Sequence, residues 1–516
     1  MNQVVRHNLI YLLIILCACF FILFPLLRPG FPVTDDGDWM IIRLSAFYQS
    51  FREGQFPVRF LGRLNNSYGY PVANFLYPGL LYIGSVLHVV GLSFQDSIKG
   101  IIIGSVLIGA FATFFWLRRF FHSYASTIGA VSFLFMPYIL YDIYKRGSVG
   151  EILAIGISIM IIYAIENKTG WIIAPLIAFL ITSHNTLALF FVPVLFGYIL
   201  IKRYNDFIPH MLLGVGIAAF FWIPALFERK HILFSITPIS DPLHYFSVSH
   251  ILILYGLPIL LIVLITLFQP NKRFGKEKIY FIVLILGSTI LASEVSLWLW
   301  RTTWFVNYIQ FPYRFFAIGS LFAPWFIAYV ADDAKSQRGI LLAIIASGVL
   351  ILLSLPYQGS VSVVRPEGFY STNEATTTVR NEYMPRWVSY VPAIRKQERI
   401  EVFNGNAKIN IRLVTTEQIN AIIHAKEESI LQINTIYYPG WGAMIDNKPV
   451  AIQYDNPSGF MRITVPSGDH TLYMAFRETI DRFIADIISV CFVIVYLVWF
   501  VRYLIYRKVR LKRKRR

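Results

Sequence analysis

Charge is what this sequence has least of. Only 15% of its 516 residues are Asp, Glu, Lys or Arg, while 56% are hydrophobic; a soluble globular chain carries roughly 25% charged residues. The shortage excludes a soluble globular protein and indicates a chain that crosses a membrane repeatedly. Cysteine is scarce as well. Cys17, Cys19 and Cys491 are the three present, each inside a hydrophobic run, so neither a disulfide framework nor a zinc site is indicated. Acidic residues number 29 against 46 basic ones, a formal net charge of +17. An excess of that size would suit nucleic acid, but nine of the basic residues crowd into the tail from Arg502 to Arg516, directly after an apolar run. That placement reads as a cytoplasmic anchor against anionic lipid headgroups, with no nucleic-acid partner. Internal repeats and low-complexity segments are also missing.

What the chain has instead is hydrophobic runs. A bilayer span needs roughly 17 to 25 apolar residues, and about twelve runs reach or approach that length. They lie near 9–27, 98–117, 124–141, 151–165, 171–182, 185–201, 208–227, 251–268, 279–293, 315–330, 339–355 and 484–506. The first is followed by no small-residue cleavage pattern and reads as a retained span. A further run, 74–90, is read as a helix at the outer interface, its Tyr77, Tyr82 and prolines suiting that depth. Leaving it out puts Arg6, Arg118-Arg119, Lys202-Arg203, Lys272 to Lys278, Lys335 to Arg338 and the basic tail on one side. By the positive-inside rule that side is cytoplasmic. Both termini are then cytoplasmic, and the first loop, 28–97, lies outside.

From about Arg399 the hydrophobic period changes from helical to alternating. Ile409, Ile411 and Leu413 interleave with Lys408, Asn410 and Arg412, the pattern of a half-buried strand. Turn signals at Asn404-Gly405, Asp446-Asn447 and Pro466 to Asp469 separate short strands. The fold class is therefore a polytopic α-helical membrane protein with a C-terminal extracytoplasmic antiparallel β domain. Its parts are a transmembrane domain over 1–356, an outer domain over 357–483 that is β-rich from about 399, and a final span with its basic tail over 484–516.

On this topology the unusual polar residues collect on the outer face. Asp35, Asp36 and Asp38 crowd the head of the first loop, in TDDGDWMIIR. Arg146 and Glu151 lie in YKRGSVGE, His184 and Asn185 in TSHNT, and Gln310 and Arg314 in QFPYR. Taken singly, each has an ordinary reading: an acid caps a helix, an arginine snorkels to the interface, a histidine makes an interfacial hydrogen bond. Four distant parts of the chain that bring acids, cations and amides to one surface are the pattern of a site assembled over a helical bundle.

The succession DDGDWMIIR, EGQFPVR, YGYPVANFLYP, RGSVGE, SHN, QFPYR and NEYMPRW resembles a bacterial integral membrane family labelled 6-pyruvoyl-tetrahydropterin synthase-related. YYPGWGAMIDNKPV followed by VPSGDHTL resembles the outer β domain of YfhO-like membrane proteins. Both resemble the GT-C class of glycosyltransferases. In the first family the first loop commonly carries His-Asp, a second histidine and an arginine. Here Asp35 and Met40 stand at the histidine positions, while Asp36 and Arg43 match.

The resemblance implies a plasma-membrane glycosyltransferase. It would take a sugar from a polyprenyl-phosphate-linked donor and pass it to an extracytoplasmic glycan, glycolipid, cell-wall polysaccharide or teichoic acid. A hydroxyl acceptor needs a base, and Asp36 is the candidate, with Asp35 or Asp38 as fallback. The departing phosphate needs positive charge of fixed geometry, for which Arg146, Arg314 and then Arg43 are the candidates. Tyr70, His184, Asn185 and Gln310 complete the substrate-binding set. Glu151 is a second catalytic acid, and with Asp36 it admits a divalent ion such as Mg or Mn without requiring one. Membrane lipids are the remaining partners. A polyprenyl-lipid or polysaccharide flippase would favour ionisable residues at the midplane and repeated halves. A non-catalytic cell-envelope assembly protein whose β domain binds a cell-wall polymer would still bind glycan after loss of Asp36.

Overall fold

Apolar runs become helices because a backbone N–H or C=O left unpaired in hydrocarbon costs several kcal/mol, and an α-helix pairs its own. The computed structural model describes residues 2–235, 246, 255–267, 275–332, 337–359 and 361–515. Eight helices among them are long and apolar enough to cross a bilayer: Leu9–Leu27, Phe94–Leu117, Ser123–Arg146, Val149–Glu166, Asn185–Lys202, Pro312–Ala331, Arg338–Gln358 and Ile480–Ile505. Each coincides with a run seen in the sequence.

The other four expected spans differ from straight crossings. Asn205–Ile217 with Ala219–His231 bends by 61°, and Gly275–Leu291 with Glu294–Trp300 bends by 77°. The bends survive because side chains take over the freed backbone groups. Ser489 Oγ accepts from Phe220 N at 2.7 Å, and Ser296 Oγ and Trp300 Nε1 donate to the Leu291 carbonyl at 2.9 and 3.1 Å. Gly170–Ser183 is about 21 Å long at 1.5 Å per residue, short of the roughly 30 Å hydrocarbon core. The run expected at 251–268 lies partly outside the described residues, which show helix over Leu257–Leu267. Lys272 and Lys335 of the basic breaks also lie outside them. The described residues thus hold eight helices long and apolar enough to span a bilayer, or up to ten if each bent pair is one span; an apolar run fixes composition, and not straightness or length.

Burial separates the centre of the bundle from its rim. Pro312–Ala331 is 94% buried and Val149–Glu166 89%, against 11% for Ile480–Ile505, whose exposed valines and leucines suit hydrocarbon. Phe94–Leu117 and Val149–Glu166 pack closely at Gly156, where a Cβ would stand 2.7 Å from the Ser105 carbonyl oxygen. Small residues let helix backbones approach in this way.

The first loop is ordered throughout. Its helix Gly37–Arg52 buries Met40, Ile41, Leu44 and Phe47, a 3-10 turn spans Pro71–Asn74, and the run read as interfacial forms an eleven-residue helix, Gly79–Val89. Residues 361–399 return across this loop as a strap. Ser362–Val363 pairs antiparallel with Phe31–Pro32, Asn66 N donates to the Glu374 carbonyl at 2.9 Å, and Leu233 N and Phe234 N donate to the Met384 and Glu382 carbonyls at 2.9 and 2.7 Å.

The β domain has two antiparallel sheets. One runs in the order Ala407–Val414, Gln418–Ala425, Gly468–Phe476, Trp441–Ile445, Lys448–Val450. The other runs Ile400–Asn404, Ser429–Ile436, Phe460–Val465. The turn residues behave as their types require: Gly405 has φ 90°, and Asp446 and Asn447 have φ 50° and 63°, the two positive values of a tight hairpin. The domain does not hang free of the bundle. Phe60 from the first loop enters its core, 5.9 Å from Trp441 and 5.2 Å from Phe476, and the last helix begins at Ile480.

Candidate functional site

The site grows from one reversal of the chain. The π turn Asp142–Arg146 ends at Gly147, with φ 68°. A Cβ there would run into Thr34 Oγ1 and the Gly37 backbone, so only glycine lets the first loop dock on the turn. The docking is by main chain: Asp35 N and Asp36 N donate to the Lys145 and Arg146 carbonyls at 2.9 and 2.8 Å. Beyond Gly147 the next helix starts at Val149, and its first turn brings Glu151 back over Arg146.

Glu151 is the centre of a buried charge cluster. Its Oε1 accepts from Arg146 Nη1 at 2.6 Å and Arg314 Nε at 3.0 Å, and its Oε2 accepts from Tyr138 Oη at 2.6 Å. Arg146 also donates to Asp142 at 2.9 Å and lies over the Tyr313 ring at 5.1 Å. Arg314 Nη1 donates to the Ile309 carbonyl at 2.8 Å and Gln310 Oε1 at 2.6 Å. His184 Nε2 is 3.6 Å from Glu151. The His184 Nδ1 accepts from Leu187 N at 3.2 Å, capping the helix Asn185–Lys202, so that nitrogen is unprotonated and the imidazole is neutral. Arg146 is thus shared between Asp142 and Glu151, and Glu151 also holds Arg314.

The three aspartates of the first loop separate. Asp35 pairs with Lys145 at 3.2 Å on the surface. Asp38 pairs with Arg365 at 3.0 Å and accepts from Tyr370 Oη at 3.2 Å. Asp36 caps its helix without a side-chain bond, and among the described residues its half-buried carboxylate has no hydrogen-bond or ion-pair partner. Burial pushes the Tyr77 phenol up to about 12, and it feels Arg43, Asp36, Glu151 and Arg314 in turn; its ring lies 4.7 Å from that of His184.

Beside the cluster opens a cavity of about 420 Å³. Its polar wall includes Tyr77, His184, Asn185, Gln310 and Arg314, and its apolar wall includes Leu189, Val192, Phe221 and Leu226. Leu189 and Leu226 are exposed on the outside of the bundle, where lipid would lie.

Two expected site residues are spent elsewhere. Tyr70 is fully buried, its hydroxyl bonded to Thr378 Oγ1 at 2.9 Å and Tyr383 N at 3.0 Å, so it holds the strap and does not face the cavity. Arg43 is buried and committed to Thr377, through Nε to Oγ1 at 2.8 Å and through Nη2 to the carbonyl. The pairing of Asp36 with Glu151 as metal ligands also fails. Glu151 already has two guanidinium groups within 3.0 Å, a setting that repels a divalent cation, and no group of three or more His, Cys, Asp or Glu among the described residues is arranged for a metal.

Other residues of the site carried no signal on their own. Asp142, four before Arg146, is the nearest to a legible one, since that spacing puts both on one helical face. Tyr383 lies in NEYMPRW and reaches the cavity, its ring stacked 5.7 Å from Phe75 and 5.6 Å from Phe234. Arg229, in FERKH, also lines the cavity.

No protein-family model matches the chain, and no curated protein matches it. Solved structures of the Archaeoglobus fulgidus oligosaccharyltransferase overlap it in part. The apo crystal structure does so at 12% identity with TM-score 0.41, over 69% of this chain and 56% of that one. The crystal structure tethered to an acceptor peptide gives 12% and 0.42, over 72% and 60%. The complex of that enzyme, AglB, with an inhibitory peptide and a dolichol-phosphate gives 13% and 0.41, over 73% and 57%. The chain therefore spans less than two thirds of the length of the structures it overlaps.

Proposed function

We propose that this chain is a membrane glycosyltransferase that moves a sugar from a polyprenyl-phosphate-linked donor to a hydroxyl acceptor at the outer membrane face. The observation that carries the reading is the cavity, whose apolar wall reaches exposed Leu189 and Leu226 and whose other wall holds Arg314, Gln310, Asn185 and His184. An amphipathic donor with an isoprenoid tail and an anionic head has that distribution. The acceptor oxygen attacks the anomeric carbon and the bond to phosphate oxygen breaks, the phosphate leaving with the electron pair. Asp36 takes the acceptor's proton. It is the first-loop aspartate whose carboxylate is not already paired among the described residues. Glu151, held by two guanidinium groups, is poorly placed to share a divalent ion with Asp36.

The test is Asp36→Asn, which keeps shape but cannot accept the proton. With purified protein and polyprenyl-phosphate sugar, we expect donor binding to persist and transfer to fall by roughly 10² to 10⁴. Asp35→Asn and Asp38→Asn should fall far less, because those carboxylates serve Lys145 and Arg365. Near-normal transfer by Asp36→Asn overturns the assignment of the base.

A further inference from the structure

The cavity contains a cation that the Glu151 cluster does not neutralise. The Arg229 guanidinium lies 4.1 Å over the Tyr308 ring and 5.0 Å over the Phe234 ring, and its Nη2 donates to the Asn307 carbonyl at 3.2 Å. Its Nε is buried without a hydrogen-bond partner. Among the described residues no carboxylate pairs with it. Its neighbour Glu228 is unable to, because Glu228 accepts from Arg482 Nε and Nη2 at 2.6 and 2.9 Å and from Asn74 and Tyr438, each at 2.8 Å. A guanidinium held between two rings on the wall of a largely apolar cavity, with no counter-ion among the described residues, suits an anion supplied from outside.

We propose that Arg229, and not the Arg146–Arg314 pair, seats the phosphate of the lipid donor, and that its single uncompensated charge selects a phosphodiester over a diphosphate. The inference rests on the lipid-donor reading above and adds the residue and the linkage. The charge count supports it. Arg146 and Arg314 are both held by Glu151, and Arg482 is held by Glu228, so among the described residues Arg229 is the cation on the cavity wall with no carboxylate in contact. A sugar–phosphate–lipid diester brings one negative charge. A diphosphate brings two, and the second would enter a low-dielectric cavity unpaired, where an uncompensated charge is costly. Arg314 retains its place as a neutralised donor of geometry beside the head group.

The test uses full-length protein in lipid nanodiscs and three probes without a sugar: a polyprenyl phosphate methyl ester, a polyprenyl diphosphate capped as its terminal methyl ester, and inorganic phosphate. Wild-type protein should bind the methyl ester more tightly than the diphosphate, and inorganic phosphate should not compete. Arg229→Gln should lose about 10- to 100-fold in affinity for the ester, as expected for a charge-assisted contact, and Arg229→Lys should recover part of it. A single cooperative thermal unfolding transition of the Gln variant shows that it folds, since the substitution removes two ring contacts and one carbonyl hydrogen bond but leaves no carboxylate unpaired among the described residues. Unchanged ester binding by a folded Gln variant overturns the seat, as does equal competition by inorganic phosphate. Diphosphate binding as tightly as the ester overturns the linkage. Ester binding that depends on Arg229 with no transfer of any sugar leaves the seat standing and removes the transferase reading; transfer that persists in Arg229→Gln does the reverse.

Discussion

Glu151 shows how far a residue's role depends on its partners. At the head of a helix its carboxylate has the position of a catalytic acid, yet both oxygens are occupied by Arg146, Arg314 and Tyr138, and the residue is fully buried. Its work is electrostatic: it fixes two guanidinium groups in place and cancels charge that would otherwise lie unpaired. Removing one member of a buried ion cluster costs about 3–5 kcal/mol, because the others are left without compensation. We expect Glu151→Gln to lower the thermal unfolding temperature in nanodiscs by the equivalent of about that amount. A variant as stable as wild type with slow transfer would return Glu151 to the chemistry. Asp36 is the converse case, its carboxylate available because its neighbours are used elsewhere.

At the scale of elements, the strap over 361–399 makes a cavity out of what would be an open groove. It crosses the first loop with Tyr370 on Asp38, Thr377 on Arg43 and Thr378 on Tyr70, and then sets Tyr383 into the cavity wall between Phe75 and Phe234. Arg43 is therefore a fastening for the strap. Arg43→Met fills the space but leaves the Thr377 hydroxyl and carbonyl without their donor, a loss of about 1–3 kcal/mol for buried polar groups. Hydrogen exchange should then quicken over 376–383 and stay unchanged in the strands Gln418–Ala425 and Gly468–Phe476. Equal quickening in both would mean that the strap and the sheet open as one unit.

The whole molecule is tied together by two ionic contacts between parts that the sequence separates. Arg59 in the first loop pairs with Glu478 at 3.1 Å and Asp486 at 2.9 Å, and Arg482 in the last helix pairs with Glu228, which also accepts from Tyr438 in the β domain. With Phe60 inside the β core, these contacts seat the domain on the first loop and beside Arg229. Site, strap and β domain must then share one side of the membrane, and the basic segments argue for the outer one. We expect a membrane-impermeant maleimide to label Ser467→Cys in intact cells and to label Lys514→Cys only after lysis. The reverse pattern would put the whole site on the cytoplasmic side and end the proposed donor chemistry.

The sequence by itself determined what depends on short range. Eight helices long and apolar enough to cross a membrane follow from local hydropathy, and the strands after Arg399 follow from the period of Ile409, Ile411 and Leu413 and from turn residues such as Gly405 and Asn447. It also brought out Glu151, Arg146, His184, Asn185, Gln310 and Arg314, because polar residues at the ends of apolar runs stand out in one dimension. Only the tertiary structure decided which of them are paired. Arg314 meets Glu151 across 163 positions, and Arg43 meets Thr377 across 334. Such contacts consume Glu151, Tyr70 and Arg43 while leaving Asp36 and Arg229 without a carboxylate or cation of their own among the described residues. Ionic pairing acts through space over a few ångströms, and that proximity is set by packing rather than by position along the chain.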